Sequence, residues 1–195
     1  MPPNPVLRLA SASPRRRELL AQIGVPHAVE PACVDEDGRC GEAVTAYVER
    51  VACAKAEAVW QRLRDLPVLG ADTTVVLAGA SLGKPRDRAH GLSMLESLAG
   101  REHTVLTAVA LVTSAGTRCL TSTSIVRMRA ITPGERDRYW DSGEPRDKAG
   151  GYAIQGLGAV FIESLQGSYS GVMGLPLFET AQLLAAAGVP YWSAT

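Results

Sequence analysis

Apolar positions along the chain come as short runs alternating with helix-spaced stripes. Val6-Leu7-Arg8-Leu9-Ala10 has the length and bounds of a buried strand. Ser13 and Pro14 suit the N-cap and first position of a helix whose apolar face is Leu19, Leu20 and Ile23 and whose end is Gly24. His27 to Pro31 reads as a short strand. A polar loop from Val34 to Gly41 leads to a long helix over Glu42 to Asp65, with Val44, Val48, Val51, Lys55 and Val59 on three- and four-residue steps. An apolar run from Pro67 to Leu77 holds Asp72 and Thr73 in its middle, and a turn at 78–80 leads to another short strand. Arg88 to Leu98 forms an amphipathic helix with Leu92, Leu95 and Leu98 inward and Gly100 at its end. Two long strands follow, Glu102–Thr113 and Thr117–Ile131, joined by Ser114-Ala115-Gly116. Thr132-Pro133-Gly134-Glu135 is a capping box that opens a helix ending near Gly143. A strand over Ala159–Ser164, a polar turn over Gln166–Gly171 and a last helix from Pro176 to Ala187 complete the chain. Strands and helices mix, so the class is α/β, and the long antiparallel middle section favours a mixed sheet. No internal repeat or linker divides the sequence. One domain over residues 1–195 is expected, with residues 1–5 as a disordered tail.

Composition narrows the partners. Hydrophobic residues make up 46% and charged residues 21%, and Lys+Arg and Asp+Glu each number 20. This is ordinary globular composition with no basic excess for a nucleic-acid polymer. Local basic clusters therefore answer to something small and anionic, or to nothing. The four cysteines, Cys33, Cys40, Cys53 and Cys119, form no CxxC pair and read as free thiols of a reducing cytosol. The first residues lack the pattern of a signal peptide, and no stretch approaches a membrane span, so a cytoplasmic protein is expected.

The candidate chemistry lies where polar residues interrupt this pattern. Ser11-Ala12-Ser13-Pro14-Arg15-Arg16-Arg17 sits where a strand hands over to a helix. Free backbone N–H groups and the helix dipole favour an anion there, and Arg15 or Arg16 can add forked donors to a phosphate. A capped helix with arginines on its solvated side is the plainer reading. Lys55 on its apolar stripe either snorkels to the rim or projects into a cleft and meets an anion. Asp35, Glu36 and Asp37 are a solvated loop, or one of them reaches a metal. Asp72 is the least expected residue, because an acid in so apolar a run needs a partner or must be neutral. Gly83-Lys84-Pro85-Arg86 is a second anion grip or a basic turn. Arg127 and Arg129 share one strand face, the wet one. The stretch Glu144 to Gly156 is dense in glycine and polar groups, as functional loops often are.

Six stretches carry a resemblance: Leu9-Ala10-Ser11-Ala12-Ser13-Pro14-Arg15-Arg16, Gly70-Ala71-Asp72-Thr73, Gly83-Lys84-Pro85, Asp147-Lys148-Ala149-Gly150, Ile154-Gln155-Gly156 and Gly174-Leu175-Pro176-Leu177. In this order, over residues 7 to about 180, the chain resembles the Maf family of nucleoside triphosphate pyrophosphatases. The resemblance implies a fold like that of inosine triphosphate pyrophosphatase: a long mixed sheet flanked by helices, in two lobes with a central cleft. It also implies a cytoplasmic, commonly dimeric enzyme that needs a divalent metal. The chain looks like the branch acting on dTTP and UTP, in which Tyr-x-Ile-Gln-Gly follows Asp-Lys-Ala-Gly. The sister branch, acting on 7-methyl-GTP, has Glu where Gln155 stands. An amide can donate and accept against the N–H and carbonyls of uracil or thymine, whereas a carboxylate only accepts.

By the resemblance, Asp72 is the proton acceptor, and Arg15, Thr73 and Gln155 set substrate choice. The expected reaction is water attack on the α-phosphorus, giving monophosphate and pyrophosphate. Ser11, Ser13, Arg15, Arg16, Lys55 and Lys84 would hold the triphosphate, and Mg²⁺ or Mn²⁺ would sit with Glu36 and Asp72. Arg17 lies outside the shared pattern and is assigned no role. The competing readings are a pyrophosphatase for 7-methyl-GTP or another modified nucleotide, and a nucleotide-binding regulator of cell division without turnover.

Overall fold

The structure, a computed structural model, describes residues 4–192. The expected tail over residues 1–5 lies outside the described residues at 1–3; Asn4 and Pro5 are exposed and without regular structure. The elements in chain order are β1 (Leu7–Leu9), α1 (Pro14–Gln22), β2 (His27–Val29), α2 (Val44–Leu63), β3 (Val68–Leu77), β4 (Ala80–Leu82), α3 (Arg88–Leu98), β5 (Glu102–Thr113), β6 (Gly116–Met128), α4 (Pro133–Asp141), β7 (Ile162–Gln166), α5 (Tyr169–Met173) and α6 (Leu177–Ala186). They form the expected α/β fold with a mixed sheet. Seven strands run in the order β2-β1-β3-β5-β6-β7, and β4 pairs with β3 off that path. β1 is parallel to β2 and to β3, with Leu7 opposite His27 and Leu9 opposite Leu69. β3 and β4 are antiparallel, as are β6 and β7.

The chain divides into two compact units. The first comprises Met1–Asp72, Thr107–Ser122 and Gly174–Thr195, and the second comprises Thr73–Leu106 and Thr123–Met173. In the first, Leu7, Leu9, Leu20, Val48, Val51, Val59, Leu69 and Leu184 are fully or almost fully buried. The stripe read from the sequence is therefore the inward face of α2. In the second, Leu95, Leu98, Val105, Val126, Met128, Tyr139, Ile154 and Phe161 belong to one apolar cluster.

Several expected details are corrected. Ser13 stands at the N-cap of α1, but its side chain makes no capping hydrogen bond. Its own N–H is instead received by Ser11 Oγ at 3.2 Å. On α3 the buried positions are Gly91, Met94, Leu95 and Leu98, with Leu92 half-buried. Gly91 faces inward because the Trp140 ring occupies the place of a side chain there: an added Cβ would lie 2.1 Å from a ring carbon. The strand expected at 159–164 starts at Ile162, after a 3₁₀ turn over Leu157–Phe161. That turn forms because the N–H groups of Leu157 and Gly158 go to the Glu144 carboxylate and that of Ala159 to Gly156 O, so none is left for a ladder. The polar turn expected at 166–171 holds the start of α5, where Ser168 Oγ receives the N–H of Gly171 at 2.9 Å. Arg127 is exposed and pairs with Glu163, while Arg129 lies beyond the end of β6 and pairs with Glu135. The capping box of Thr132 and Glu135 is formed as read.

Candidate functional site

In the first unit the site begins with a glycine. Gly70 on β3 lies so close to α2 that a Cβ there would stand 2.4 Å from Ala52 O and 2.8 Å from Ala56 N. Side chains two apart on a strand share a face, so Asp72 points to the helix that Gly70 touches. Lys55, between Ala52 and Ala56 on that helix, meets it: Nζ donates to Asp72 Oδ1 at 2.8 Å. Glu36 approaches the same ammonium, with Oε2 3.1 Å from Nζ. Lys55 is 8% exposed and Asp72 6%. The anion that Lys55 meets is thus the protein's own, and the partner that Asp72 requires is Lys55. The loop carrying Glu36 is tied to α2. Tyr47 Oη donates to Glu36 O at 2.9 Å, and Arg50 donates to Asp37 O at 2.9 Å. Arg50 also forks onto Glu42 at 2.6 and 2.7 Å and holds that carboxyl down at about 2.

The β1–α1 loop belongs to the same unit. Arg16 donates through Nε to Gly174 O at 2.7 Å and through Nη1 to Ser11 Oγ at 3.1 Å. It fastens the serine loop to Gly174, the residue before Leu175-Pro176. Burial draws the Arg16 guanidinium below its ordinary value, with the Asp72 charge acting the other way. Ser11 is buried, and Ser13 and Arg15 are half-buried beside it.

The second unit holds Thr73, Lys84 and Gln155. Thr73 follows Asp72 on β3 and is half-buried; Lys84 and Gln155 are exposed. Gly83 O accepts the N–H of Gly150 at 3.0 Å, which joins the Lys84 turn to the Asp147–Gly150 segment. Gly150 has φ +69°, and a Cβ on it would stand 2.9 Å from Val75 Cγ2, so this contact needs glycine twice over. Lys148 Nζ donates to Glu144 O at 3.1 Å and to the Asp147 carboxylate.

Glu144 opens the polar stretch singled out in the sequence, whereas Tyr139 and His103 of this unit were not singled out there. Glu144 receives Tyr139 Oη–H at 2.7 Å, Leu157 N–H at 2.9 Å and Gly158 N–H at 3.0 Å. Burial raises the Glu144 carboxyl, but these donors together outweigh it and hold the group below its ordinary value. Tyr139 Oη also receives the N–H of Ala153 at 3.0 Å, and burial with the Glu144 bond raises the phenol. His103, 3% exposed, shares a 2.7 Å hydrogen bond through Nε2 with Tyr152 Oη, while its Nδ1 is buried with no hydrogen-bond partner among the described residues. Burial pushes its imidazole down to about 4. A tyrosine on a helix and a histidine at a strand start carry no spacing signal, so only the fold brings these two to the loop that Glu144 opens.

Among the described residues, no group of three or more His, Cys, Asp or Glu side chains is placed to hold a metal ion. None of the described helices is long and apolar enough to cross a membrane.

The chain is 55% identical over 194 residues to a protein of Bordetella parapertussis named dTTP/UTP pyrophosphatase, covering 95% of this chain and 94% of that one. It is also 55% identical over 186 residues to one of the same name from Alkalilimnicola ehrlichii, with 92% of each chain covered. Among solved structures, the Staphylococcus aureus Ham1 protein aligns over 63% of this chain and 71% of its own, with a TM-score of 0.47 and 17% identity. The profile of the Maf-like protein family matches residues 6–187, and with these relatives it establishes that the chain belongs to the Maf family.

Proposed function

We infer that this chain is a nucleoside triphosphate pyrophosphatase that hydrolyses dTTP and UTP to the monophosphate and pyrophosphate, as the names of its 55%-identical relatives describe. The observation that carries the chemistry is Asp72, a buried carboxylate on a strand, 2.8 Å from the Lys55 ammonium. In this reading Asp72 orients the attacking water and takes its proton, and the product pyrophosphate leaves with its negative charge neutralised. Ser11, Ser13, Arg15, Arg16, Lys55 and Lys84 supply the hydrogen-bond donors and positive charge that hold the phosphates. Arg16 does so partly by shaping the serine loop it is bonded to. In this reading a hard divalent cation would take its protein oxygens from Glu36 and Asp72, whose carboxylates both lie against Lys55 Nζ. Mg²⁺ or Mn²⁺ held by these two would neutralise phosphate charge when bound.

Base choice falls to Arg15, Thr73 and Gln155. The Gln155 amide is exposed on a fixed loop and can donate and accept against a uracil or thymine edge. The proposal includes a cytoplasmic homodimer with no nucleic-acid partner. Incubating the protein with UTP and Mg²⁺ should release UMP and pyrophosphate. Asp72→Asn should cut kcat by a factor on the order of 10² or more with the fold retained. A folded Asp72→Asn protein with near-normal turnover takes Asp72 out of the mechanism, and a wild type that binds UTP without releasing UMP is a regulator instead.

A further inference from the structure

Gln155 sits on a loop with little regular structure, yet a base-reading amide must be held in one place. Three backbone N–H groups flank it, and all three end on two side chains of the α4 region. Ala153 N–H goes to Tyr139 Oη, Leu157 N–H to Glu144 Oε2 and Gly158 N–H to Glu144 Oε1, at 3.0, 2.9 and 3.0 Å. Tyr139 Oη–H closes the set by donating to Glu144 Oε1 at 2.7 Å. The carboxylate also fills the space beside the loop: a Cβ on Gly156 would lie 2.0 Å from Glu144 Oε2. A side chain at 156 would therefore have to displace the Glu144 carboxylate from its donors. A carboxylate is the side chain suited to receive three donors at once, because it carries acceptors on both oxygens and no donor of its own.

We propose that Glu144, with Tyr139, is the positioning residue for base selection: it fixes the loop from Ala153 to Gly158 so that the Gln155 amide faces the pyrimidine edge. The proposal rests on the reading of Gln155 given above. Glu144 touches no substrate in this scheme and acts through the backbone on both sides of Gln155. Aspartate is one carbon too short to reach both Leu157 and Gly158, and glutamine presents an NH₂ group to one of the two N–H donors.

The test is the ratio of kcat/KM for UTP to that for GTP, measured for wild type, Glu144→Gln, Gln155→Ala and the double variant, with thermal unfolding of each. Glu144→Gln should lower the ratio at least tenfold, mainly through the UTP value. Gln155→Ala should lower it as far or further, and adding Glu144→Gln to it should change the ratio by less than twofold. Tyr139→Phe keeps the ring that packs edge-on against Phe161, 5.2 Å between centroids, and removes only the hydroxyl. It should lower the ratio in the same direction, and it serves where Glu144→Gln does not fold. Equal losses on UTP and GTP in Glu144→Gln and Tyr139→Phe overturn the proposal and leave Glu144 a prop of the fold. If Gln155→Ala itself leaves the ratio unchanged, the reading of Gln155 fails, and the proposal built on it fails with it. A lowered ratio in Gln155→Ala beside an unchanged one in Glu144→Gln and Tyr139→Phe overturns the positioning role alone.

Discussion

Removing the ammonium of Lys55 leaves Asp72, 6% exposed, without the charge that faces it from α2. Breaking a buried pair from one side costs more than the pair contributes, because the remaining charge stays desolvated. Lys55→Met should therefore lower unfolding free energy at pH 7 by about 3–5 kcal/mol in urea titration. Lys55→Met combined with Asp72→Asn should recover most of that loss, since neither group is then charged. Both variants should be inactive. A Lys55→Met loss below about 1 kcal/mol would place the contact among surface ion pairs. The apolar stripe placed Lys55 on the inward face of its helix, and the apolar run marked Asp72 as a residue in need of a partner. What periodicity left open was that each is the other's answer, since it gives the face of an element and never the neighbour opposite.

At the scale of elements, most of the order was readable because each helix and strand carries its own period and its own stop. α2 follows its valine stripe, α4 its capping box, and α3 ends one residue before Ala99 as the glycine at 100 implied. The misplaced start of β7 has a backbone cause. Where a side chain takes the backbone donors, as Glu144 does at Leu157 and Gly158, the strand expected over Ala159–Ser164 cannot start until Ile162. Close approach is equally invisible to periodicity. Gly91 lies within the α3 pattern, and only the Trp140 ring against it shows why no larger residue stands there. Both ring and helix are in the second unit's packed interior, so the ring has little room to withdraw. Gly91→Ala should lower stability by about 1–3 kcal/mol through overpacking, despite alanine's better helix propensity. An increase in melting temperature would show that α3 and α4 yield at that contact.

At the scale of the whole molecule, acid should act in two separate steps. Asp65 beside Arg8, Glu42 beside Arg50 and Glu135 beside Arg129 are each held at about 2 by the arginine hydrogen bonds. Depressed carboxyls contribute stability that is present above their unfolded values, near 4, and is lost as pH falls toward 2. His103 acts earlier. Its folded value is about 4 against 6.5 unfolded, because burial disfavours the charged ring. Between those values the unfolded chain binds a proton that the folded chain does not, so stability falls as pH drops through this window and is unaffected above it. From pH 7.5 to pH 5 the cost is about 2 kcal/mol, from 1.5 pH units at 1.36 kcal/mol each. Urea unfolding at the two pH values should show a loss of that order in the wild type. His103→Gln keeps an amide to bond Tyr152 Oη and has no proton to gain, so the variant should lose much less over the same interval. The carboxyls near 2 contribute little to the comparison, since above pH 5 they are largely ionised in the unfolded chain as well as in the folded one. An equal loss in variant and wild type would assign the slope to other groups and leave His103 neutral for reasons that do not reach the stability of the fold.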